Sequence, residues 1–303
     1  MEKRAQREAY LYCFIAMFGW GSMFIAAKLA YEAITGLTLL FLRYIIALLL
    51  LSFVYRKMPK PSLTRTDKKH ILLIGVLGYC FSIALQLIGT SMVAASMASI
   101  INTITPVAIL LFAALLLGER TSPKEVLGII VTVLGSVLIV GGADATSSAL
   151  GIVLNFVGRA FWGLSSVMIR KSCANIDGVW VTMYGMLVAA IVDIPFMAVD
   201  IARNGLDLSA FTPTVILAIL WIGLVPTAAA NLFWSKALER LPAATCSLFY
   251  AFLPITTALL GVIMLGEVLT QKFMLGSLVI ILGMLLAVSG KKKKPTEEQG
   301  ASK

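Results

Sequence analysis

The stretch Ala95–Gly142, ASMASIINTITPVAILLFAALLLGERTSPKEVLGIIVTVLGSVLIVGG, decides how this chain is read. It opens with small and polar residues, carries Pro106, and closes a first apolar run at Leu117-Gly118-Glu119. A second run follows, with Gly128, Gly135 and Gly142 spaced by seven. The pattern returns 148 residues later in Ala243–Gly290, AATCSLFYAFLPITTALLGVIMLGEVLTQKFMLGSLVIILGMLLAVSG. Pro254, Gly266-Glu267, Gly276, Gly283 and Gly290 fall in register, and 16 of 48 positions are identical without a gap. A shared apolar bias would match leucines, but not a proline, a Gly-Glu pair and three glycines together. The stretch is an internal repeat.

The solvent of such a chain is lipid. Of its 303 residues 59% are hydrophobic and 13% charged, with mean hydropathy +0.95, whereas soluble domains carry about 25% charged residues. The net charge of +10 does not point to nucleic acid, because the basic residues lie in short loops between apolar runs. The basic start, Met1–Ala9, leads into an apolar run of about 20 residues, longer than the apolar part of a signal peptide, and is read as leading into the first span. Cys13, Cys80, Cys173 and Cys246 show no metal-ligand spacing and read as small apolar packers.

A spanning helix needs about 20 apolar residues. Ten such runs are found, at 10–30, 36–56, 70–89, 93–118, 123–142, 148–171, 178–200, 212–236, 243–266 and 271–290. With both termini placed in the cytoplasm, 20 Lys and Arg residues fall on the inside and two, Arg203 and Lys272, on the outside, which agrees with the positive-inside bias. Five helices per repeat is an odd number, so the second repeat enters the membrane from the opposite side. The expected fold is therefore an all-α integral membrane protein of ten transmembrane helices in two inverted five-helix repeats, 1–142 and 143–290. A disordered basic tail, 291–303, completes the chain. Inverted repeats are the architecture of many secondary transporters, with the binding site near the midplane between them.

The paired mid-helix prolines, the two Leu-Gly-Glu endings (117–119 and 265–267) and the ten-span, two-repeat layout together resemble the EamA-type branch of the drug/metabolite transporter superfamily. The resemblance covers nearly the whole chain. It implies export of amino acids or related small metabolites across the plasma membrane.

Intramembrane polarity marks the candidate residues. On the fourth run Ala95, Ser99, Asn102 and Pro106 share one face, and on the ninth Ala243, Ser247, Tyr250 and Pro254 do. Pro106 and Pro254 each remove a backbone donor and are expected to act as hinges. Trp20 and Trp162, each followed by glycine, sit far from the ends of their spans, where interfacial anchoring does not account for them. They are expected to wall the substrate pathway, with Tyr184 and Tyr250. Arg43, Arg159 and Asp193 are intramembrane charges, functional candidates by default. Arg159 or Arg43 is expected to receive a substrate carboxylate, with Gln86, Asn155 and Asn231 binding its remainder or bonding across helices. The alternative role of Arg159 is an ion pair with Asp193. That pair would keep Asp193 ionised and unfit to carry a proton, which gives uniport as the expected mode. Glu119 ends a helix where the dipole disfavours an anion, so a partner is expected, Arg120 or Lys124 being nearest in sequence.

No metal cluster, nucleophile with its base, or phosphate-binding loop is present, so neither an enzyme nor a bound cofactor or metal is expected. The expected partners are a carboxylate-bearing small molecule and the bilayer, with no nucleic acid, in a monomer or homodimer. A passive channel would show polar or charged rings along its length. A multidrug or cation exporter of the small-resistance type would carry a carboxylate in its first span, and 14–28 contains none. The orientation is directly testable. Reporter fusions at Ser148 and Lys303 should report opposite sides of the membrane, and signals from the same side would contradict it.

Overall fold

The computed structural model describes residues 2–93, 98, 101–102, 105–119, 122–140, 148–265 and 271–289, and these contain helices and no strand. We label the helices α1 (Glu2–Ala30), α2 (Gly36–Val54), α3 (Arg65–Ser91), α4 (Thr105–Leu117), α5 (Pro123–Val140), α6 (Ala149–Ser172), α7 (Gly178–Asn204), α8 (Pro213–Arg240), α9 (Ala243–Leu265) and α10 (Gln271–Ser289). Seven of them, α1, α2, α3, α6, α7, α8 and α9, are long and apolar enough to cross a membrane. Their outward faces are apolar: Leu49, Phe53, Leu115, Leu217, Leu275 and Ile263 are all more than 60% exposed. A face of that kind is stable against hydrocarbon and not against water. The protein is a multi-pass membrane protein.

Several helices outrun the apolar stretches that predict them, because capping continues the helix into the polar boundary. α3 begins at Arg65, five residues before its apolar run, where Thr64 and Asp67 form a reciprocal capping box. α7 starts behind the Asp177 side chain, which accepts from the Val179 N–H, and ends at Gly205 with φ +74. α4 ends at Gly118, φ +64, with the Glu119 N–H donating to the Ala113 carbonyl.

Three long helices are irregular in mid-span. α3 winds as a π-helix over Ile74–Ser82 and α8 over Gly223–Ala229. α9 passes through a 3-10 turn at Leu248–Ala251 just ahead of Pro254. Packing is correspondingly cross-wise. α1 lies against α8 and α9, as α6 lies against α3 and α4. The pairs α2–α7, α4–α9 and α5–α10 face one another. Each pair joins helices five apart in chain order.

The α5–α10 contact is set by the glycines. A Cβ added at Gly283 would lie 2.7 Å from the Thr132 N atom and 2.8 Å from the Gly128 carbonyl oxygen. One at Gly135 would lie 2.8 Å from Ile280 N and 2.9 Å from Gly276 O. These neighbours are backbone and cannot rotate away, so only glycine allows the two helices this approach. Gly142, Gly266-Glu267 and Gly290 lie outside the described residues, as does the tail 291–303. Overpacking of this kind costs about 1–3 kcal/mol. Gly283→Leu should therefore lower the thermal unfolding midpoint of detergent-solubilised protein, whereas Leu282→Val on the exposed face should leave it within the change expected of about 0.5 kcal/mol.

Candidate functional site

The site begins with a backbone defect. Pro226 in α8 has no N–H to offer the Ile222 carbonyl one turn earlier. The chain winds there as a π-helix, and the Thr227 hydroxyl also donates to that carbonyl, at 2.6 Å, which keeps its lone pairs for another donor. Arg43 Nε of α2 fills them at 2.6 Å. The Pro226 carbonyl accepts Trp20 Nε1 from α1 at 3.1 Å and Asn231 Nδ2 at 3.1 Å, and Asn231 also donates to the Thr227 carbonyl at 2.9 Å. On α3 the Tyr79 carbonyl, inside the π segment, accepts the Tyr44 hydroxyl of α2. The breaks in α3 and α8 thus fix the side chains of α1 and α2 that turn inward.

A second arginine enters from α6. Arg159 donates through Nη2 to Gln86 Oε1 of α3, while its Nε is buried with no partner among the described residues. Arg43 makes two more contacts, Nη1 to the Met23 sulfur at 3.2 Å and its guanidinium to the Tyr44 ring, 5.8 Å from the centroid. Arg43 is 2% and Arg159 4% exposed. No carboxylate lies within ion-pair distance of either among the described residues.

Aromatic rings close the space between them. Trp20 and Trp162 meet edge to face at 5.6 Å. Trp162 Nε1 donates to the Tyr250 hydroxyl. Tyr79 lies 5.7 Å from Trp162, and Trp234 lies 5.4 Å from both Trp20 and Tyr250. Asn102, in the stretch ahead of α4, donates to the Ala98 carbonyl at 2.8 Å, and its Oδ1 is buried and unpartnered. The aromatic residues other than Trp234 line, with both arginines and Asn102, a cavity of about 30 Å³.

Of the residues singled out from the sequence, Trp20, Arg43, Gln86, Asn102, Arg159, Trp162, Asn231 and Tyr250 all line this one cavity. Ser99 lies outside the described residues. Tyr184 is not part of the wall. It stacks on Trp180 at 5.4 Å, and the Trp180 indole donates to the Pro59 carbonyl near one end of the bundle. Depth is not the reason, since a Cβ at the next residue, Gly185, would lie 2.7 Å from the Tyr79 ring; the rotation of α7 turns Tyr184 to Trp180. Asn155 does not line the cavity; it donates to the Gly151 carbonyl at 2.9 Å and accepts the Thr90 hydroxyl of α3 at 3.3 Å, so it bonds across helices. Pro106 is the second residue of α4 as described, 103–104 before it lying outside the described residues, and Pro254 lies three residues beyond the 3-10 turn of α9.

One expected ion pair is not formed. Arg159 does not pair with Asp193. Arg159 turns to α3, whereas Asp193 is fully buried beside Tyr44 and Cys80 with neither carboxylate oxygen partnered among the described residues. Equal depth on consecutive helices does not bring side chains on different faces together, and uniport loses the pairing on which it rested. Glu119 finds Arg170 at the end of α6, 3.8 Å away, rather than Lys124. Arg170 also donates to the Leu238 and Glu239 carbonyls, at 2.7 and 3.1 Å, tying the ends of α4, α6 and α8.

Sequence reasoning missed Tyr44, Tyr79, Thr227 and Trp234. A hydroxyl placed directly after an intramembrane proline was a usable signal for Thr227. Trp234 shares a helical face with Asn231, three residues away. Tyr44 and Tyr79 gave no signal, because a tyrosine in an apolar span reads the same whether it faces lipid or the centre.

The chain is similar to known proteins along nearly its whole length. The profile of the EamA-like transporter family matches residues 7–141 and again 149–289. An uncharacterized transporter of Archaeoglobus fulgidus is 25% identical over 89% of this chain and 94% of its own length. The uncharacterized transporter YetK of Bacillus subtilis is 28% identical over 96% of this chain and 90% of its own. A crystal structure at 19% identity shares the fold, with a TM-score of 0.77 over 92% of this chain and 98% of that one. The chain belongs to the EamA-like transporter family.

Proposed function

We propose that the protein is a secondary transporter that exports amino acids or related small metabolites bearing a carboxylate, by alternating access. It would work from two oppositely oriented five-helix halves, ten spans in all, with both termini in the cytoplasm and the plasma membrane as its site. The observation that carries this reading is the central cavity, walled by side chains of both halves and supplied with two buried guanidinium groups. A guanidinium matches a carboxylate in plane and spacing and binds it bidentately. The aromatic rings offer a flat apolar surface for the body of an organic solute.

The two-halves reading rests on three features besides the sequence repeat. The π segments of α3 and α8 are centred 148 residues apart, the interval of the repeat. Three of the helix pairs in contact, α2–α7, α4–α9 and α5–α10, join helices five apart. The family profile matches each half separately. A cavity of about 30 Å³ is too small for an amino acid, so a substrate enters only when the helices part. This favours rocking halves over a fixed channel. A cation exporter fits less well, since both uncompensated charges in the cavity are positive.

Trp162 holds two ring contacts and one hydrogen bond in this wall. Aromatic pairs are worth about 0.5–1.5 kcal/mol each, and about 1.4 kcal/mol is tenfold. In proteoliposome counterflow across a panel of amino acids and small carboxylates, the wild type should accumulate label. Trp162→Ala should lose about tenfold or more in rate at equal insertion. Absence of counterflow for every solute would overturn the transporter reading.

A further inference from the structure

Arg43 and Arg159 raise a question of charge that one carboxylate does not answer. Each guanidinium carries five N–H donors. Arg159 spends one on Gln86, and Arg43 spends one on Thr227 and one on a thioether sulfur, a weak acceptor. Both groups line the same cavity. Both are more than nine-tenths buried, and no carboxylate among the described residues stands within 4 Å of either. Two cations in one desolvated space repel strongly, and removing either from water is costly unless an anion comes with it.

The occupant can be read from this balance. A monocarboxylate neutralises one guanidinium and leaves the other unpaired. A zwitterionic amino acid brings a cation with its anion and changes the net charge by nothing. Only a solute with two negative charges satisfies both arginines. They are anchored apart, one to α8 through Thr227 and the other to α3 through Gln86, so the charges are best met by two separate anionic groups. The Trp20–Trp162 corner between them takes a planar or apolar body.

We propose that the preferred substrate is a dianion: a small planar or apolar body carrying two anionic oxygen groups, one bound by Arg43 and the other by Arg159. The proposal rests on the transporter reading and narrows its substrate class. It places both arginines in the site as joint ligands, in place of a single carboxylate receptor.

The test is counterflow in proteoliposomes of the full chain with four matched probes. These are isophthalate (two separate carboxylates), phenyl phosphate (one doubly charged head), benzoate (one charge) and phenylalanine (zwitterion). The dianions should exchange at least tenfold faster than benzoate and phenylalanine, with isophthalate ahead of phenyl phosphate. They alone should raise the unfolding midpoint of the detergent-solubilised wild type, as a ligand selective for the folded state does. Arg43→Gln and Arg159→Gln should each reduce isophthalate exchange at least tenfold and benzoate exchange far less, so that the selectivity collapses. A merely structural arginine would lower all probes alike. If either variant fails to fold, the selectivity and thermal shift of the wild type still decide. Phenyl phosphate ahead of isophthalate would keep the dianion and overturn the two separate groups. Exchange of benzoate, phenylalanine or other monocarboxylates at equal or greater rates would overturn the proposal while leaving the transporter reading intact. No exchange of any solute would overturn both.

Discussion

Inside a bilayer a backbone carbonyl without a donor has no water to turn to, and leaving it bare costs several kcal/mol. Pro226 withholds the α-helical donor from the Ile222 carbonyl, the chain winds into a π segment there, and the side chains that settle on that segment organise the centre of the molecule. The Thr227 hydroxyl donates to the Ile222 carbonyl and in doing so presents an acceptor to Arg43. A second carbonyl, that of Pro226 itself, takes Trp20 and Asn231. One missing N–H on α8 therefore fixes a cation from α2, an indole from α1 and an amide of α8 itself. The π segment of α3 does a related thing through the Tyr79 carbonyl and the Tyr44 hydroxyl. Helix irregularities of this kind recur at functional sites because they are the places where backbone polarity becomes available to side chains.

The remaining architecture supports those breaks. α5 and α10, bound to each other through bare glycine backbone, contribute no side chain to the cavity. α1 and α6 run through the centre and are gripped by helices of the other half of the chain, α8 and α9 for one, α3 and α4 for the other. At one end Arg170 ties α4, α6 and α8 by an ion pair and two carbonyl contacts. At another place Asp200 of α7 receives the Thr35 and Thr38 hydroxyls and the Thr38 N–H, holding the start of α2. Both clusters consist of a few side-chain hydrogen bonds and ion pairs, unlike the backbone packing of the glycine seam.

Asp193 shows how pattern reasoning fails at short range. Helical rise puts its depth close to that of Arg159, and opposite charges at one depth suggest a pair. The rotation of each helix decides otherwise. Arg159 faces Gln86 of α3, while Asp193 faces Tyr44 and Cys80. The same limitation misplaced Tyr184, whose neighbour Trp180 draws it into a stack near the bundle end. In a span that is apolar on every side, hydrophobic periodicity does not mark the inner face, because lipid and core are equally apolar.

By itself the sequence determined the features that strong, local or repeated signals encode. Composition set lipid as the solvent. The glycine spacing set the α5–α10 seam, since only glycine permits that approach. The unusual intramembrane residues, Trp20, Arg43, Asn102, Arg159 and Trp162, identified the cavity because polar or bulky amphipathic groups are costly anywhere else in a bilayer. Only the tertiary structure decided who meets whom: Arg43 with Thr227, Arg159 with Gln86 rather than Asp193, and Glu119 with Arg170. Those partners depend on the rotation and offset of helices distant in sequence, and a modest turn of one helix exchanges one partner for another without altering a single residue.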